Sequence, residues 1–134
     1  MKKLTAEWVR KAEADHRAAA KLHRGPEPLH DAVCFHCQQS AEKYLKGLLE
    51  ELGLVIPKIH DLEKLRALLL PHHTSLRPFR RGMLFLRQFG VDIRYPGDWA
   101  AKRDAVAALR WAERVRTAAR TILGVRPPRA RRKR

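Results

Sequence analysis

The residues with chemical capacity fall into a few groups along the chain. His36, Gln39 with Ser40, Lys43, Lys46 and Glu50 recur at spacings of three and four. On a helix those spacings form one polar line beside an apolar stripe. Such a line can contact a phosphate or a nucleotide, and a solvated helix face has the same pattern. His60 directly precedes Asp61, where an imidazole can fix loop geometry or move a proton and the carboxylate can cap a helix. Arg94 beside Tyr95 places a planar fork suited to phosphate next to a ring suited to base stacking. Tyr95 could alternatively plug the end of a helical bundle with its hydroxyl at the rim. Arg66 and His72 are weak candidates for metal-independent cleavage of RNA, with His moving a proton and Arg stabilising charge. The same six-residue spacing occurs at Arg17 and His23 and at Arg24 and His30, so chance accounts for it readily.

These groups need elements to position them, and the composition predicts helices. Ala, Leu, Lys, Arg and Glu dominate, while aromatic residues make up 7% of the chain. A length of 134 residues suits one domain. The first helix is expected from a Thr5 cap to about His23, with Trp8, Ala12, Ala19 and Leu22 inward. Gly25-Pro26-Glu27-Pro28 breaks it. The second runs near Leu29 to Leu52, with Cys34, Ala41, Leu45, Leu48 and Leu52 as its stripe and Gly53 as its stop. Asp61 caps a short third helix bearing Leu62, Leu65, Leu68 and Leu69. Ser75 or Thr74 is expected to cap a fourth with Phe79, Met83 and Leu86, ending at Gly90. Asp98 is expected to cap a long last helix with Leu109, Ala112, Val115, Ala119 and Ile122 inward, closed by Gly124. The expected fold is all-α, an antiparallel bundle of four to five helices over residues 1–125. Residues 126–134 are expected to form a basic, flexible tail.

Charge narrows the partners. The net charge is +15, of which the tail contributes +6 and the body +9. That favours phosphate-rich partners through counterion release, although it also serves solubility. The tail reads equally as a nucleic-acid-binding arm and as a solubilising end. Cys34 and Cys37 have no second pair to complete a zinc site and read as small buried hydrophobes. No metal and no cofactor are expected. No apolar run approaches the ~20 residues of a membrane span and no signal-peptide core is present, so the expectation is a cytoplasmic protein.

The stretch Cys34-Phe35-His36-Cys37-Gln38-Gln39-Ser40-Ala41-Glu42-Lys43-Tyr44-Leu45-Lys46 resembles the second-helix signature of HEPN domains. His60-Asp61-Leu62 is similar to their HDL segment, and Ile93-Arg94-Tyr95-Pro96 to the ARYP loop of one prokaryotic branch. Trp8, Ala12, Glu13 and Asp15 fit that branch's first helix. The resemblance spans about residues 4–123. It implies a helical bundle that binds nucleotides or RNA, forms homodimers and is often encoded beside a minimal nucleotidyltransferase in a toxin–antitoxin-like pair. Carried over by position, His36, Gln39, Glu42, Lys43, Lys46, His60, Asp61, Arg94 and Tyr95 would bind nucleotide or RNA. HEPN ribonucleases also carry Arg followed four to six residues later by His near the start of a late helix. Positions 97–103 hold no His after Arg94, so endoribonuclease activity ranks below binding. A helical adaptor without a ligand is the third reading.

Overall fold

The computed structural model describes residues 1–90 and 95–125. Helix α1 (Lys3–Arg24) and helix α2 (His30–Glu51) form an antiparallel pair. They are followed by the short α3 (Leu62–Leu69), by α4 (Arg80–Leu86) and by the long α5 (Lys102–Leu123). Among the described residues there is no strand, so the chain is all-α as its composition predicts.

Helix α2 is the axis of the bundle and packs against α1, α3, α4 and α5. Its stripe Cys34, Ala41, Leu45 and Leu48 is buried, and Val33, Cys37, Tyr44 and Leu49 widen the buried face. Burial on several sides explains why polar Gln38, Ser40, Glu42 and Lys46 are also enclosed. Gly47 allows α1 to come close, since a Cβ there would stand 3.1 Å from Trp8 Cβ. Both cysteines are free and buried, and burial pushes the Cys37 thiol up to about 12. Gly53, at φ +70°, closes α2 in the left-handed conformation expected of it.

Helix α1 begins two residues before its expected cap. Thr5 lies buried inside the helix and donates its hydroxyl to Glu51 at the end of α2, 3.1 Å away. The same carboxylate accepts from the Lys2 N–H at 2.8 Å. A partner on the neighbouring helix therefore takes the hydroxyl that local pattern assigned to capping. The inner face of α1 is Thr5, Val9, Ala12 and Ala19, while Trp8 and Leu22 are half-buried.

The fourth segment is not one helix capped by Ser75 or Thr74. It runs as a 3-10 turn over Thr74–Phe79, then α4, then a second 3-10 turn over Arg87–Phe89. Pro78 has no N–H and disrupts the α-helical ladder, so the segment enters through the tighter turn. Helix α5 also departs from expectation at its start. The Asp98 N–H closes a turn on the Tyr95 carbonyl at 2.9 Å, and the helix begins four residues later with Ala101 in the cap position. Asp104 accepts from the Ala101 N–H at 2.8 Å and takes the capping role expected of Asp98. Ala105, Ala108, Ala112, Val115 and Ala119 face inward, with Leu109 and Ile122 half-buried beside them. The expected basic tail, 126–134, lies outside the described residues. No helix among the described residues is long and apolar enough to cross a membrane.

Candidate functional site

Positions 38, 42 and 46 repeat every four residues on α2 and so share one face, turned toward the start of α3. Glu42 is buried there, and a buried carboxylate is tolerable only when compensated. It is compensated by three donors. Gln38 Nε2 lies 3.3 Å from Oε1, His60 Nδ1 lies 2.9 Å from the same oxygen, and Lys46 Nζ lies 3.2 Å from Oε2. Gln38 also donates to the His60 carbonyl at 3.2 Å, and Gln39 donates to Gln38 Oε1 at 2.7 Å. The pairing of α2 with the segment before α3 is thus polar as well as apolar.

Asp61 performs its expected cap, accepting from the Glu63 and Lys64 N–H groups at 3.0 and 3.3 Å. Its second oxygen pairs with Arg87 at 3.2 Å. His60 is therefore fixed from both sides, by Glu42 at its ring and by the Asp61 cap at its backbone. Its side chain is still 52% exposed. A carboxylate on Nδ1 sets the tautomer of an imidazole and leaves Nε2 as the atom that can meet a ligand.

A second cluster lies on the α1 side. Asp15 accepts from His36 Nδ1 at 2.9 Å with one oxygen and pairs with Lys43 through the other. Asp15 is largely enclosed, whereas His36 and Lys43 are partly open. The polar line on α2 is consequently two clusters: His36 and Lys43 turn toward α1, and Glu42 and Lys46 turn toward α3.

A third cluster joins α1, α2 and α5. Glu13 takes the hydroxyl of Tyr44, Arg116 Nε at 2.8 Å and Arg120 at 3.2 Å. Burial alone would raise the Glu13 carboxyl, but the hydrogen bonds from Arg116 and Tyr44 and the two guanidinium charges outweigh it and hold the group below its ordinary range. Burial, and then the bond to Glu13, push the Tyr44 hydroxyl well above the usual tyrosine range. Beside it His16 Nε2 meets Glu113 at 3.0 Å. Burial lowers the His16 pKa, Glu113 opposes that, and Arg116 reinforces it.

The remaining sequence candidates are dispersed. Arg66 is buried, forks onto Glu63 at 2.8 Å through two nitrogens and donates to the Leu76 and Arg77 carbonyls. His72 is exposed in the turn beyond α3. Tyr95 is 76% exposed and so does not plug the bundle. Its neighbour Arg94 lies outside the described residues, as do the rest of residues 91–94. Of the tyrosines, Tyr44 is wholly enclosed and Tyr95 is open. Asp15 and Gln38 are the residues that sequence reasoning did not place in the site. Asp15 had a signal in its fit to the HEPN-like first helix, and Gln38 in its place within the second-helix signature, four residues before Glu42.

Comparison with known proteins agrees with this architecture. The HEPN domain family profile matches residues 5–122. A crystal structure of TT1696 from Thermus thermophilus superposes with a TM-score of 0.74 at 24% identity, covering 87% of this chain and 96% of that one. ST0689, described as an archaeal HEPN homologue, gives a TM-score of 0.74 at 24% identity over 92% of this chain and 99% of its own. At that identity the likeness speaks for the fold. No curated protein sequence matches the chain. The five-helix bundle, the order of its motifs and the profile match over nearly the whole described chain agree: the protein belongs to the HEPN domain family.

Proposed function

We propose that this HEPN protein binds a nucleotide or RNA on the α2 face, as a homodimer or with a minimal nucleotidyltransferase in a toxin–antitoxin-like pair. The observation that carries the reading is His60, half-exposed while its Nδ1 is held by buried Glu42 at 2.9 Å. Such an imidazole is pre-oriented to present Nε2 to a phosphate oxygen or a ribose hydroxyl. His36 and Lys43, on the side of α2 turned toward α1, form a second patch, where Lys43 can exchange Asp15 for a phosphate. Gln39 and Lys46 hold the face in shape. Tyr95 would add a stacking surface, with Arg94 beside it in sequence. The exposed Tyr95 would be the tyrosine open to modification by such a nucleotidyltransferase.

The Glu42–His60 pair also favours a second reading, metal-independent cleavage of RNA, since a carboxylate-held imidazole is a competent proton acceptor. Arg66 is a poor partner for it, being occupied by Glu63. One experiment separates the two. Purified protein is incubated with total cellular RNA in EDTA beside His60→Ala and Lys43→Ala/His36→Ala. RNA retained intact by the wild type and released by the variants supports binding. Cleavage in EDTA that His60→Ala abolishes would replace the binding reading with the ribonuclease. RNA neither retained nor cut would leave a ligand-free adaptor.

A further inference from the structure

Away from the α2 face, a groove of about 540 Å³ opens between the 3-10 turn and α5. Its walls are Pro78, Phe79, Trp111, Arg114, Thr117 and Ala118. The Trp111 ring is seated directly on the backbone of α4, since a Cβ at Gly82 would fall 2.2 Å from its Cε3. Phe79 stands edge-on to it, with centroids 6.4 Å apart and planes at 64°. The Arg114 guanidinium lies over the indole, 4.9 Å from its centroid. Both rings are half-buried, so their orientation is set by packing while part of each remains open. This is an aromatic platform formed before any ligand arrives.

The surrounding charge selects the occupant. Arg77, Arg110 and Arg114 are all exposed and adjoin the groove residues in sequence or line it. Among the described residues that line the groove the one carboxylate, Glu113, is committed to His16 at 3.0 Å and Arg116 at 3.4 Å. A second copy seated symmetrically here would set arginine against arginine, so self-association is disfavoured. An anionic chain with planar groups meets both the charge and the rings. We infer that the groove takes an unpaired base of single-stranded nucleic acid, stacked on the Arg114 guanidinium plane that covers Trp111 and against the open part of Phe79, with neighbouring phosphates on the other arginines. Duplexes are poor ligands because their bases are already stacked. The site is distinct from the α2 face, and its occupancy does not depend on His60 or Lys43.

The test uses the full chain and fluorescein-labelled twelve-nucleotide oligouridine, its DNA counterpart and a duplex of equal length, read by anisotropy at 150 mM salt. Thr117→Glu places a negative charge at the groove from an exposed position, and its melting curve confirms folding. Trp111→Leu removes the platform. Both variants are expected to weaken single-strand binding about ten-fold or more, the scale of one lost base–aromatic stack. A 4-thiouridine crosslink is expected to map to a peptide containing Phe79 or Trp111. Equal weakening for RNA and DNA means that the base is read, whereas RNA-selective weakening adds contact with the ribose. Tight duplex binding, unchanged affinity in folded Thr117→Glu, or crosslinks confined to α2 would overturn the inference. So would a change in oligomeric state by Thr117→Glu with affinity intact. His60→Ala and Lys43→Ala/His36→Ala, run in parallel, report on the α2 face alone.

Discussion

Glu42 shows how a residue identified for ligand binding can also hold the bundle together. It is enclosed, and its partners Lys46 and Gln38 are enclosed with it. Replacing it by Ala would strand the Lys46 ammonium without its counter-charge. The expected cost is about 3–5 kcal/mol, the range for breaking a buried pair from one side, and urea unfolding would measure it. A loss below about 1 kcal/mol, the exposed-pair scale, would show that Lys46 simply turns outward. Acid stability is a second property set by single residues. His16 has its pKa lowered from 6.5, so its contribution is complete above that value and is lost as pH falls below it. Glu13, lowered from 4.5, contributes above 4.5 and is lost on further acidification. The urea midpoint should therefore fall in two stages, and His16→Gln should shrink the upper one, to which His73, lowered by burial and by His72, also contributes. An unchanged profile in that variant would sink the assignment. The sequence identified Asp61 as a cap and read the polar residues of α2 as one line, which the fold divides between the α1 side and the α3 side. It did not reveal Asp15 as the partner of both His36 and Lys43, because that contact crosses between helices and follows from no local spacing.

At the level of elements, the boundaries that matched expectation were those set by backbone chemistry. Gly53 and Gly124 both adopt the left-handed conformation and stop α2 and α5. The mistaken starts, Thr5 and Asp98, involve side chains with capping chemistry that found other settings. Thr5 bonds Glu51 across the helix pair, and Asp98 sits in a turn that precedes the helix. The seam between α4 and α5 was likewise invisible in the sequence, because the hydrophobic period of α5 does not say which glycine its tryptophan will meet. With Trp111 pressed onto Gly82, Gly82→Ala must displace either the ring or α4. Overpacking of this kind costs about 1–3 kcal/mol, despite the better helix propensity of Ala. Thermal melting and near-ultraviolet circular dichroism, which follows the tryptophan environment, would measure it. A stabilised variant with unchanged tryptophan signal would refute the contact.

For the molecule as a whole, the pattern of helices and the HEPN family were both legible, since local propensity, periodicity and motif order agree. The surface reading was less complete. The charge of +15 pointed to polyanions but not to where they dock. Trp111 and Phe79 come together across separate elements, and only folding makes them a groove. Because binding would rest on many lysines and arginines, affinity for single-stranded RNA should fall steeply and linearly on logarithmic axes between 50 and 200 mM salt, about ten-fold or more for several phosphate contacts. Titrations across that range would check it. A flat response would favour a neutral partner.

Glu13 has one further consequence, for synthesis of the chain. Its cations, Arg116 and Arg120, come from the last helix, more than a hundred residues downstream. A nascent chain therefore displays α1 and α2 with Tyr44 and Glu13 already present but their counter-charges still in the ribosome. The final helix acts as a latch, and assembly before it emerges leaves an acid and a phenol facing each other without cations. Chains stalled at Gly97 should stay protease-sensitive, and stalling beyond Gly124 with the linker clear of the exit tunnel should bring abrupt protection. Equal protection at both lengths would mean that the first four helices close by themselves.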